Sequence, residues 1–180
     1  LGFDEDAFLK SAGVSVPHGE ANRTTLERIW SRPTCDVNGM WGGYIGKGAK
    51  TVIPAYAGAK ISCRLAPSQD AERVYRNLVD FLESRTPAGC RWEIDCHGKS
   101  PAIEVATDSP FLKAAQRGLT DTYAKEAVLI GCGGSIPVVG SVQHILGFDS
   151  LLVGFGLDDD RVHSPNEKFE LRCYEMGMKS

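Results

Sequence analysis

In the stretch SLLVGFGLDDDRVHSPNEKFE a histidine follows an apolar run and three aspartates. His163 therefore stands where a buried parallel strand would end, the edge at which open α/β sheets collect ligands and catalytic groups. An imidazole there suits zinc, and Asn166 or Glu167 could hydrogen-bond its ring into place. One ligand makes no metal site, and on its own the stretch fits an exposed loop histidine better. A second candidate is GCGGSIP. The amides of Gly133, Gly134 and Ser135 could face an anion at a helix start, or could simply form a tight strand-to-helix turn. It is neither a Walker loop nor a dinucleotide fingerprint, because Gly-Lys-Ser/Thr and the third glycine are both missing.

Arg64 is a third candidate. A guanidinium on the polar side of a strand can grip a carboxylate bidentately, although arginines on such strands are common. Thr51 lies thirteen residues earlier, about 43 Å away in extended chain, so both could serve one small ligand only from two subunits. Cys96 and His97 are neighbours on a strand-like segment and point to opposite faces, so His97 cannot be the base of a Cys96 nucleophile.

The elements that must position these residues fall in two groups. Leu1 to Arg32 is mixed and polar, with short helix-like pieces such as TTLERIW. CDVNGMWGGY predicts a strand entering a glycine-rich turn, and TVIPAYAGAKISCRL a longer, half-buried strand with Ala57, Ala59, Ile61, Cys63 and Leu65 on its apolar face. DAERVYRNLVDFLESR predicts a helix through Val74, Leu78, Phe81 and Leu82, and RWEIDCHG alternates as a third strand. Together they describe an α+β layer, an antiparallel sheet with helices on one face. From Thr107 the pattern changes. Ser109 and Pro110 suit a helix start, with Phe111, Leu112, Ala115 and Leu119 facing inward. AVLIG and SLLVGFGL predict buried parallel strands around a helix, too little sheet to cover itself.

Composition excludes several classes of partner. With a net charge of −3, both signs interspersed, and 42% apolar residues, the 180-residue chain is globular without the field that draws nucleic acid or an anionic membrane. No apolar run reaches the roughly 20 residues of a membrane-spanning helix, which points to a soluble protein. None of the six cysteines forms a C-x-x-C pair, which speaks against a zinc ribbon and for reduced thiols in the cytoplasm. The chain opens on Leu1 and stops within a helical pattern, and is expected to be a piece of a longer one.

GAKTVIPAYAGAKISCRLAPSQD, the CHGKSP turn, GGSIPVV and GFGLDDDRVHSPNEK occur in the order found in one enzyme group. From about Pro33 onward the chain resembles the C-terminal part of the zinc-dependent dipeptidases and amidohydrolases, among them carnosinase, cytosolic non-specific dipeptidase and aminoacylase. The resemblance implies an α/β overall fold: an α+β lid at residues 1–106, lacking its N-terminal part, and the end of an α/β zinc-peptidase catalytic domain at 107–180. It implies two zinc ions in the full-length parent, with manganese or cobalt as alternatives, and none tightly bound by this piece. A dipeptide or N-acyl amino acid would be the substrate, and the lid would form a homodimer. By the same resemblance His163 is a metal ligand. Arg64, Ser135 and Gly134 hold the substrate carboxylate, Thr51 reaches the neighbouring subunit's site, and His97 lies on the substrate side. The general-base glutamate and the other metal ligands would lie upstream, so no catalytic residue is assigned here. Gly131 and Cys132 stand where the dipeptidases often have Arg-Glu. The rival expectation is a non-catalytic dimerisation or small-molecule-binding module that has lost its metals.

Overall fold

The computed structural model describes residues 2–134 and 136–180. The chain divides into two compact units, one of residues Leu1–Ala102 with Gly131–Ile136, the other of Ile103–Ile130 with Pro137–Ser180.

In the first unit, helix α1 (Glu5–Ser11) starts at Asp4, whose side chain accepts from the Ala7 amide. Helix α2 (Thr25–Trp30) starts at a capping box: Thr24 accepts from the Glu27 amide while the Glu27 carboxylate accepts from the Thr24 amide at 2.8 Å. Arg32 grips Glu20 through two nitrogens, at 2.6 and 2.9 Å, tying the segment before α2 to the residue that leaves it. Strands β1 (Thr34–Gly42) and β2 (Ala57–Arg64) form an antiparallel hairpin, from Thr34 opposite Arg64 to Gly42 opposite Ala57, with a bulge between Val37 and Gly39. Trp41 lies opposite Gly58, and its indole occupies the space a side chain there would need, 2.2 Å from an ideal Cβ. An aromatic ring over a strand glycine restores the packing that glycine lacks. Helix α3 (Ala71–Glu83) follows, capped by Asp70, which accepts from the Arg73 amide at 2.7 Å.

Three expectations for this unit are overturned. The half-buried strand is instead largely exposed on both faces. RWEIDCHG joins no ladder, since no partner strand lies opposite it among the described residues, and a strand is defined by the hydrogen bonds it shares. On α3, Val74, Leu78 and Leu82 are half-buried as the spacing requires, but Phe81 is exposed, with the Arg85 guanidinium 3.8 Å from its ring centre.

The second unit holds α4 (Pro110–Tyr123), α5 (Pro137–Leu146) and α6 (Leu171–Lys179). Pro110 opens α4, but the Ser109 side chain makes no capping bond. Gly118 lets the end of α6 approach: an added Cβ would lie 2.8 Å from the Ser180 carbonyl, and Thr122 donates to the Lys179 carbonyl at 3.1 Å. Leu112, Ala115 and Leu119 are half-buried, whereas Phe111, expected inside, is 76% exposed. AVLIG and SLLVGFGL flank α5 as expected, yet neither is in a ladder, and Ile130 and Leu152 face outward. A strand meant for burial on both faces cannot pair or be covered without neighbours.

Candidate functional site

The hairpin ladder positions two of the candidate residues. Arg64 ends β2 at the open end of the hairpin, opposite Thr34. Thr51 lies in the connection 43–56, beyond the closed end. Seven steps of β2, about 23 Å, separate the two ends of the ladder. Beside Arg64, Cys63 faces Cys35 across the strands. Partial desolvation of the otherwise exposed Cys63 thiol raises it above its ordinary pKa, and the hydrogen-bonded Cys35 and the nearby Asp36 add to the rise.

His97 is exposed, two residues before a lysine anchored on α3. That lysine, Lys99, pairs with Glu72 and sits 4.7 Å over the Tyr75 ring. The hydrogen bond to Glu72 raises the Lys99 ammonium above its usual pKa.

The glycine-rich loop belongs to the first unit and rests on α2. A Cβ on Gly131 would lie 2.5 Å from that of Trp30, and one on Gly133 would lie 2.5 Å from the Ile29 carbonyl. Neither position accepts a side chain while the loop is seated there. Gly134 has the Cys132 sulfur 3.3 Å from where its Cβ would be. Ser135 lies outside the described residues. Sequence reasoning read these glycines as an anion cradle or a turn and missed their close approach to α2; the Thr24-x-x-Glu27 capping pattern was the available signal of a helix there.

In the second unit His163 sits in a turn with unusual backbone. Arg161, His163 and Asn166 all have φ near +60°, a region non-glycine residues enter at a cost and in which Asn and His are enriched. The Glu167 carboxylate accepts from the His163 backbone amide at 3.3 Å, so the proposed ring partner binds the main chain instead. The turn is clasped at its base. Asp160, only 2% exposed, accepts from the Leu157 amide at 2.7 Å and from the Lys168 ammonium at 3.2 Å. Lys168 also donates to Asp159 and Glu170. The Leu157 amide first, and then Lys168, hold the Asp160 carboxyl below its usual pKa, while the carboxylates raise that of Lys168. The DDD run looks like a solvated surface, yet its third member is buried.

Among the described residues no three His, Cys, Asp or Glu side chains gather as a metal site would require. A catalytic zinc takes about three protein ligands, so His163 alone does not make a metal site.

A family model for the peptidase dimerisation domain of M20 enzymes matches residues 6–90. This chain carries an M20 peptidase dimerisation domain. The segment so matched runs from the first turn of α1 through α2 and the hairpin to beyond α3. The whole chain is 32% identical to the Cys-Gly metallodipeptidase DUG1 of Saccharomyces cerevisiae, over 99% of its own length and 38% of that protein. It is 30% identical to the human Beta-Ala-His dipeptidase, over 98% of this chain and 35% of that one. Among solved structures, an M20 family metallo-carboxypeptidase, Sso-CP2 of Sulfolobus solfataricus, superposes with a TM-score of 0.84 at 29% identity, over 98% of this chain and 40% of the other. The chain thus spans somewhat over a third of the length of these relatives. The α+β character expected of the lid is present in the dimerisation domain, with helices beside a two-stranded antiparallel sheet. No helix among the described residues is long and apolar enough to cross a membrane.

Proposed function

We propose that this chain is part of a metal-dependent dipeptidase that cleaves the amide bond of a dipeptide or N-acyl amino acid in the cytoplasm. The supporting observation is the continuous likeness to a metallodipeptidase over 99% of the chain, through both units. Paired metal ions, zinc in the first instance, would be held by donors outside these 180 residues together with His163.

The chain's own contribution is binding and orientation. In this reading residues 1–106 serve as the lid and 107–180 as the end of the catalytic domain, and the lid forms the homodimer. Arg64, fixed at a strand end, takes the substrate carboxylate in a charge-assisted pair, with the Gly134–Ser135 loop on the same end of the substrate. Thr51, at the far end of the hairpin, serves the site of the second subunit, and His97 stands on the substrate side. Fixing the carboxylate sets the distance of the scissile bond from the metals, which is the positional part of catalysis.

The test is made on the full-length protein, with metal content and dipeptide hydrolysis measured before and after chelation. Bound metal and hydrolysis lost on chelation and restored by zinc are expected. His163→Ala should lower both metal content and rate, and Arg64→Ala should raise KM about 10- to 100-fold, the loss of one hydrogen-bonded charge pair. A dimer with neither metal nor hydrolysis would make this a binding or dimerisation module. Unchanged kinetics in Arg64→Ala would remove Arg64 from the site.

A further inference from the structure

Cys35 and Cys63 are directly opposed in the hairpin ladder, in the regular stretch between the open end and the bulge. Opposed residues of antiparallel strands point to the same face, with Cα atoms about 4.5 or 5.5 Å apart depending on the pair type. Both distances fall in the range a disulfide spans, roughly 4.4–6.8 Å, so the strand pairing holds the two thiols within reach of closure. Both thiols are free and exposed, so a small oxidant can reach them. Of the other cysteines, Cys90, Cys96 and Cys132 lie outside any ladder and Cys173 lies on α6, so none is held opposite a second thiol by strand pairing.

We propose that Cys35 and Cys63 are a dithiol modification site, oxidised by a low-molecular-weight disulfide to a cross-strand bond that staples the open end of the hairpin. In the first step one protein thiolate attacks a sulfur of the small disulfide, forming a mixed disulfide and releasing one small thiolate, which takes up a proton. In the second the facing protein thiol, having given its proton to water, attacks the protein sulfur of the mixed disulfide and expels the second small thiolate. Two protein thiols are oxidised, one disulfide is reduced to two thiols, and the two protons are conserved. The staple lies one residue from Thr34 and Arg64, the last pair of the ladder. Neither the family nor the proposed hydrolysis requires it.

The experiment treats native full-length protein with oxidised glutathione, blocks remaining thiols, and maps cross-linked peptides by mass spectrometry under non-reducing conditions. The expected product is a Cys35–Cys63 cross-link within one subunit, two hydrogens lighter than the reduced protein and reversed by dithiothreitol. Cys35→Ser and Cys63→Ser should each stop at a glutathione mixed disulfide on the remaining partner, while Cys90→Ser should cross-link as the parent does. Mixed disulfides on both cysteines without closure, a bond between subunits, or cross-links shared among the other cysteines would each overturn the proposal. So would an absence of reaction at both residues in protein whose other exposed thiols react.

Discussion

At the scale of single residues, the decisive groups are those whose surroundings contradict their type. Asp160 belongs to a triple-aspartate run and yet is enclosed by the Leu157 amide and Lys168. Because its folded carboxyl is held below the unfolded value, its ionised form contributes stability above about pH 3.9. That contribution fades as the pH falls from there through the lower folded value. Asp160→Asn should therefore lower the unfolding midpoint at neutral pH, and the gap to the parent should narrow steadily in acid. Thermal unfolding of the full-length protein across pH checks this; a gap independent of pH would assign the effect to packing. His163 is another such residue. Its motif was legible because a histidine closely following an apolar run and three aspartates is unusual, but its positive φ was not. That backbone accompanies the Asp160–Lys168 clasp and the Glu167 contact, neither of which has a signature in residue spacing.

At the scale of elements, capping and close approach set what the helices and hairpin can hold. The Thr24–Glu27 box fixes the start of α2, whose last turn is the seat of Gly131 and Gly133. Thr24→Ala should cost about 1 kcal/mol. Amide exchange should quicken in α2 and, because the seat loosens, in the glycine loop; exchange altered in α2 alone would uncouple them. The helices α3 and α4 were readable from period and from Asp70 and Pro110, because helical hydrogen bonds are local. RWEIDCHG, AVLIG and SLLVGFGL read as strands with equal clarity in the sequence. They form none here, because strand hydrogen bonds need a partner that no local pattern supplies.

At the scale of the molecule, the exposed area is large. The chain presents 14858 Å² to solvent, where a folded monomer of 19.5 kDa presents about 8,500 Å² and two separate globules of half that mass about 10,300 Å². Among the described residues Val139 is the buried apolar side chain, at 6% exposure. Apolar side chains such as Met40, Ile53, Ile130 and Leu152 are left outside. The 180-residue chain expressed alone should consequently bind an apolar dye such as ANS and self-associate, and the full-length protein should do so far less. A monodisperse, dye-silent chain would mean that these faces cover one another in solution.

The sequence by itself determined the helices, the hairpin strands, the dipeptidase resemblance and the identity of the candidate residues, since periodicity, caps and short motifs are properties of neighbours along the chain. Only the tertiary structure decided that Gly131 and Gly133 are seated on α2, that Trp41 fills the place of a side chain at Gly58, that Cys35 faces Cys63, and that Asp160 is buried under the His163 turn. Each of these joins residues that are distant in sequence or depends on a register. A one-residue slip of the hairpin would turn Cys63 to the opposite face, and apolar alternation in strands exposed on both sides does too little to forbid that slip.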